Sequence, residues 1–312
     1  MKWRRVKGRK SRDVIDVRGA SPPPGGGTSS RGGLPIPLPG GLAGAGGGIG
    51  LLIVLAFVAI QFFGSDGESG GFSVDDVFGP SATAPGAEDP EPIPPGEDPQ
   101  RDLKDFSTYV FVDAQRTWSS TFREDGEAYE DAQLVLFSGG VQTDGCGSAS
   151  SAVGPFYCPA DGRVYLDLTF YEDMDRQLGA GGDFAWAYVI AHEMGHHVQG
   201  ESGTNAEVSR LERANPDEAN ELSVRTELQA DCYAGIWAST VYAEGDLEPG
   251  DLEEAFTASE AIGDDRLQRQ AGGSVDPDSF THGTSEQRRT WFENGYRSGD
   301  PAACDTFTPD SI

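Results

Sequence analysis

FAWAYVIAHEMGHHVQ, residues 184–199, decides how this chain is to be read. An unbroken apolar run from Phe184 to Ala191 leads into the first histidine and marks a buried helix, with Asp183 placed to cap its start. A helix advances ~100° per residue, so His192 and His196, four apart, share a face and can hold one metal ion through their imidazoles. Glu193 stands at the edge of that face, where its carboxylate reaches a metal-bound water without being a ligand. Two imidazoles and a carboxylate on an apolar helix carry a desolvation cost that satisfied core histidines do not explain. His197 falls on another face and is read as an imidazole outside the ligand set.

A catalytic metal of this kind takes a third protein ligand and leaves a fourth position to water. NELSVRTELQADCYAGIWAS, residues 220–239, supplies it on a second helix, where Glu227 and Asp231 are four apart and Ala234 and Ala238 continue their stripe. Glu227 is assigned to the metal and Asp231 to a hydrogen bond that orients a ligand imidazole. Small residues on that stripe, and Gly195 opposite, predict a close approach of the two helices. Glu201, Glu207, Glu212 and Glu221 lie in polar surroundings and are poorer ligand candidates.

Working outward, the elements predict one α+β domain over residues 104–305. Phe106, Tyr109, Val110, Ala114, Trp118 and Phe122 recur at helical spacing, whereas AQLVLF at 132–137 and RVYLDL at 163–168 read as strands. Helices follow at 183–200, 220–243, 250–270 and 285–296. The strand at 163–168 is one candidate for a sheet edge on which an extended peptide could lie, with an interior position as its alternative.

Upstream, residues 1–43 are basic and then Gly- and Pro-rich, and AGGGIGLLIVLAFVAIQFF leads to Phe63 with Gln61 as its strongly polar member. The span 44–63 is long enough to cross a ~30 Å hydrocarbon layer as a transmembrane helix. The basic flank then predicts a single-pass cell-membrane protein with a cytoplasmic N-terminus and an extracytoplasmic catalytic domain, the lipid bilayer being a partner through residues 44–63. Residues 64–103 are a Pro-, Gly- and acid-rich linker, and 306–312 form a tail.

Nine Lys and Arg against Asp13 and Asp16 give the first 50 residues +7, so with −28 overall the remainder carries −35. So acidic a domain repels nucleic acid, which is excluded as a partner. Cys146, Cys158, Cys232 and Cys304 show no Cys-x-x-Cys spacing and fit two disulfides. Of three connectivities, Cys146–Cys158 with Cys232–Cys304 is preferred, because the first pair brackets a compact Gly- and Pro-containing loop.

His-Glu-x-x-His followed by Glu-x-x-x-Asp resembles the thermolysin-like, glutamate-ligand branch of zinc peptidases. HEMGHHVQ, ELQADCYAG, AIGDDRLQRQ and THGTSEQRRTWFENGY, with the start MKWRR, more closely resemble the bacterial neutral zinc metallopeptidase family of membrane-anchored proteins. The resemblance implies a zincin-like fold, one Zn2+ per chain on His192, His196 and Glu227, and Glu193 as the catalytic carboxylate. It further implies a peptide or protein substrate, hydrolysed by a zinc-activated water whose proton Glu193 accepts.

A late histidine in thermolysin-like enzymes hydrogen-bonds the developing oxyanion, and the resemblance makes His282 that residue here, with Tyr157, Tyr165 or Tyr233 as other donors. Cys304, paired with Cys232, would hold this segment near the metal. Two rival readings are a non-catalytic zinc-containing envelope protein and a zinc hydrolase of a non-peptide substrate.

Overall fold

The computed structural model describes residues 1–3, 13–19, 93–94, 96–308 and 311–312. In chain order the strands and helices are β1 (Val14–Asp16), α1 (Arg101–Glu124), β2 (Gln133–Phe137), β3 (Gly140–Gln142), β4 (Ser148–Ser150), β5 (Phe156–Cys158) and β6 (Arg163–Asp167). Then come α2 (Phe170–Leu178), α3 (Asp183–Glu201), α4 (Thr204–Ala214), α5 (Ala219–Glu244), α6 (Asp251–Ala261), α7 (Asp264–Gln270) and α8 (Ser285–Ser298). The architecture is the expected α+β.

α3, apolar on every side, is buried without interruption from Phe184 to Gln199, as a helix lacking a polar face must be. α1, α5 and α6 pack around it. Gly195 sets the spacing to α5, since a β-carbon there would stand 2.9 Å from the carbonyl oxygen of Ala230. The approach predicted from the small residues is therefore present, and it rests on Gly195 itself. α8 crosses α5 as closely, with Gly295 against the Cys232 carbonyl and Gly235 against that of Phe292.

β2 and β6 are parallel, with Leu134 beside Val164 and Leu136 beside Leu166, and their near-continuous apolar sequence matches strands covered on both faces. The sheet order is β1-β2-β6-β5, with β1 and β2 parallel and β5 and β6 antiparallel. Residues 163–167 are thus an interior strand, and the edge on that side is β5. The sequence reading missed β1, β5, the β3–β4 hairpin, α2 and α4, all of them short or strongly polar. The helix expected over 250–270 is two helices, broken at Ile262–Gly263.

One cap also differs from expectation. Asp183 is the first residue of α3 rather than its cap, and α8 is capped by Thr284, which accepts from the Gln287 N–H. Both expected disulfides, Cys146–Cys158 and Cys232–Cys304, are present.

The membrane topology requires correction. No helix among the described residues is long and apolar enough to cross a membrane, and the span 44–63 lies outside those residues. The start of the chain also packs onto the domain that follows. The Met1 ammonium meets Asp183 and Asp251 at 2.9 and 3.2 Å, Trp3 packs edge-on against Phe106 at 5.5 Å, and β1 extends the sheet. Segments in contact share one compartment, so a cytoplasmic N-terminus with this domain on the opposite side of a membrane is not supported.

Arg18 is what locks β1 in place. Its buried guanidinium meets Asp16 at 2.8 Å and Asp98 at 2.6 Å, and Lys104 reaches Asp16 at 2.7 Å. Removing one partner of a buried ion pair leaves the other uncompensated, at a cost of about 3 kcal/mol. Arg18→Met is accordingly expected to lower the midpoint of thermal unfolding by on the order of 10 °C. Burial opposes ionisation of Asp16, but Arg18 and Lys104 outweigh it and lower the pKa from 3.8 to about 2. A depressed carboxylate contributes stability above its unfolded value, so the Asp16 contribution is whole above pH 4 and is lost as pH falls through 2. Thermal unfolding of wild type and Arg18→Met between pH 2 and 7 checks both points, and the difference between them should shrink in acid.

Candidate metal centre

The backbone of α3 delivers His192 and His196 to one face, and α5 delivers Glu227 opposite them. His192 Nε2 lies 3.2 Å from one Glu227 carboxylate oxygen, and His196 Nε2 lies 3.4 Å from the other. All three side chains are buried, and their donor atoms lie within 4.8 Å of one another. Donors at zinc's bond lengths around one tetrahedral centre stand roughly 3.3 Å apart, so the separations fit a shared ion.

The remaining bonds of these groups orient them. His192 Nδ1 meets Asp231 at 2.9 Å, the position given to Asp231 from the sequence. His196 Nδ1 meets Gln199 Oε1 at 2.9 Å, and Gln199 in turn donates to the Thr226 carbonyl at 2.7 Å. A carboxylate and an amide oxygen can only accept, so each Nδ1 carries a hydrogen, and release of the Nε2 proton leaves a lone pair on the side of Glu227. That is the tautomer a metal-binding imidazole needs.

Electrostatics favour a cation here. Glu193, Glu227 and Asp231 are buried with Arg288 as their one guanidinium among the described residues, which leaves a formal excess of two negative charges when the imidazoles are neutral. A buried net charge must be paired, and a divalent ion matches it. The imidazole of His192 shows the same preference: burial disfavours its charge, yet Asp231 and Glu227 outweigh burial and raise its pKa to about 9. For Glu227, burial is overcome by His196 and His192, which hold it well below the carboxylate range.

One oxygen each of Glu227 and Glu193 is buried without a hydrogen-bond partner. Unsatisfied buried oxygens beside two imidazole nitrogens are what a site for an ion and its water presents. Burial pushes the Glu193 pKa upward, and the neighbouring histidines offset this only in part, the condition of a carboxylate suited to taking and returning a proton.

Three residues whose roles the sequence reading did not assign, Arg288, Tyr188 and Asp264, complete the surroundings. Arg288 of α8 donates from Nε to Asp231 at 2.8 Å, while Tyr188 donates to the other Asp231 oxygen, so Asp231 is held from two sides. Asp264, at the start of α7, accepts from the backbone N–H groups of Thr281, His282 and Gly283 at 2.7, 2.6 and 3.0 Å and meets His282 Nδ1 at 3.1 Å. Asp264 thus fixes the 281–283 loop and the His282 imidazole. His282 Nε2 is buried and without a partner. Asp264 and Arg288 do lie in the segments AIGDDRLQRQ and THGTSEQRRTWFENGY, the signal by which they could have been singled out.

The three candidate tyrosines face elsewhere. Tyr157 bonds to His197, Tyr165 donates to Asp161, and Tyr233 packs on Trp118. His197 is buried with its other nitrogen against the Glu130 carbonyl at 2.8 Å, away from the ligand group.

Fold and site together define an α+β protein with a buried two-histidine, one-glutamate group able to hold a metal ion and a free carboxylate beside it. Residues 1–307 match the family described as "Putative neutral zinc metallopeptidase", and the chain belongs to that family. It is 45% identical over 308 residues to uncharacterized protein YpfJ of Escherichia coli K12, covering 98% of this chain and 99% of the relative. Over 191 residues, 58% of this chain and 64% of the relative, it is 48% identical to uncharacterized protein Rv2575 of Mycobacterium tuberculosis. No solved structure gives a significant match.

Proposed function

We propose that this protein is a zinc-dependent peptidase of zincin-like fold that hydrolyses peptide bonds by Glu193-assisted attack of water. The observation that carries the reading is the unpartnered, buried carboxylate oxygen of Glu193 beside the His192, His196 and Glu227 donor group. A closed structural site takes four protein ligands and has no use for an adjacent base. Here the three candidate ligands meet a second carboxylate, one oxygen of which has no protein partner.

Zinc, when bound, supplies polarisation of the scissile carbonyl and acidifies a water. Glu193 takes the water's proton and returns it to the leaving amine. Asp231, itself held by Arg288 and Tyr188, keeps His192 in the ligating tautomer, and Gln199 does the same for His196. His282, its Nδ1 held by Asp264, offers Nε2 to the oxygen on which negative charge grows. Metal analysis of the purified protein together with cleavage of a proteome-derived peptide library tests the reading. About one zinc per chain and chelator-sensitive cleavage are expected; a zinc-loaded protein that cleaves nothing in the library refutes it.

His282→Ala is expected to bind zinc as the wild type does, to leave KM nearly unchanged and to lower kcat by about a hundredfold, the usual cost of one lost oxyanion donor. Steady-state kinetics alongside metal analysis check this. Wild-type turnover in the folded, zinc-loaded variant would remove His282 from the mechanism.

A further inference from the structure

A chain of amides leads away from His196. Its Nδ1 donates to Gln199 Oε1 at 2.9 Å, and Gln199 Nε2 donates both to the Thr226 carbonyl at 2.7 Å and to Gln229 Oε1 at 3.1 Å. Gln229 Nε2 in turn donates to the Cys304 carbonyl at 3.1 Å. Gln199, Gln229 and Cys304 are all buried, and Cys304 is joined covalently to Cys232, three residues beyond Gln229 on α5.

The polarity of this chain is fixed from its far end. Backbone carbonyls only accept, so each amide turns its nitrogen toward Thr226 or Cys304 and its oxygen toward the metal centre. Gln199 therefore meets His196 with an acceptor, which keeps a hydrogen on Nδ1 and leaves Nε2 as the ligating atom. Two uncharged amides thus do for His196 what Asp231 does for His192, and they add no negative charge to a cluster whose excess of two a divalent ion already matches.

Thr226 satisfies one of the two N–H groups on Gln199, and without Gln229 the other would be buried and unpaired. The bridge keeps the Cys304 carbonyl against α5, where Gln229 finds it. We propose that Gln229 is a positioning residue for the zinc ligand His196 and that the Cys232–Cys304 bridge anchors it, so that zinc affinity is coupled to a disulfide outside the ligand group. The inference rests on the reading of His196 as a zinc ligand.

The test is the zinc dissociation constant of the full-length protein, measured by competition with a chelator, with thermal unfolding of each metal-free variant to confirm its fold. Gln229→Met, which keeps the length of the side chain but neither polar atom, should weaken binding by about three- to tenfold, less than the ~10–100-fold of a direct ligand partner. Gln229→Glu, as a neutral carboxyl, still accepts from Gln199 and donates to Cys304, and should stay within about twofold of wild type. Cys232→Ser with Cys304→Ser should weaken binding by about threefold in the wild-type background and add nothing in Gln229→Met, because members of one network are not additive. Opening the other bridge with Cys146→Ser and Cys158→Ser should leave the constant unchanged. In zinc-loaded Gln229→Met, NMR should show faster solvent exchange of the His196 Nδ1 proton, while that of His192, held by Asp231, stays as in wild type. Unchanged affinity in Gln229→Met, an equal loss in Gln229→Glu, or bridge removal that keeps its full effect in the Gln229→Met background overturns the inference and leaves the zinc site standing. A wild-type protein that binds no zinc takes the metal reading and this inference with it.

Discussion

Glu193→Gln is expected to retain about one zinc per chain and to lose two to four orders of magnitude in kcat, roughly the contribution of a positioned general base. The substitution keeps the shape of the side chain and its place in the buried face of α3. It removes the one carboxylate near the His192, His196 and Glu227 group that has neither a ligating role nor a hydrogen bond on its second oxygen. Zinc analysis and single-turnover kinetics on the same preparation separate metal loss from loss of the base. Wild-type rates in Glu193→Gln would eliminate the mechanism, because no other unpaired carboxylate borders the ligand group among the described residues.

Glu227→Gln should show the opposite pattern, a folded protein that loses its metal. Losing a partner that merely orients a ligand costs ~10–100-fold in metal affinity, and losing the ligand itself should cost on the order of a thousandfold or more. Glu227 stands within 3.2 and 3.4 Å of the two ligand imidazoles and is the only carboxylate among the described residues that reaches both. Its neutralisation also removes one of the two excess negative charges that favour a divalent ion. Competition against a chelator of known zinc affinity measures the loss, and thermal unfolding of both metal-free proteins confirms that the fold is intact. An unchanged zinc dissociation constant would take Glu227 out of the ligand set.

The two predictions divide one cluster of buried acids by position alone: Glu193 is on the histidine helix beside its ligands, Glu227 on the facing helix between them. That division was readable before any tertiary structure. Helical periodicity is local, so His192 and His196 must share a face wherever α3 lies, and Glu227 and Asp231 must share one on α5. The apolar run from Phe184 to Ala191 likewise required burial of α3, and the strands at 133–137 and 163–167 followed from their apolar character.

Contacts between residues far apart in sequence could not be read in this way. Arg288 is 57 residues from Asp231, and Asp264 is 18 residues from His282. Both look like ordinary solvated charges in polar segments, and only the crossing of α8 over α5 and the fold of the 281–283 loop around Asp264 turn them inward. The start of the chain is the larger case. A basic, low-complexity flank before an apolar stretch reads locally as a topology signal, yet β1 finds its hydrogen bonds on β2, which lies 117 residues beyond it in sequence. Local periodicity and spacing thus singled out His192, His196 and Glu227, the group that could hold a metal ion. What surrounds them, and the placement of residues 1–3 and 13–19 on the same body as the site, was decided by tertiary packing, because buried charges and strand edges find their partners only when distant segments meet.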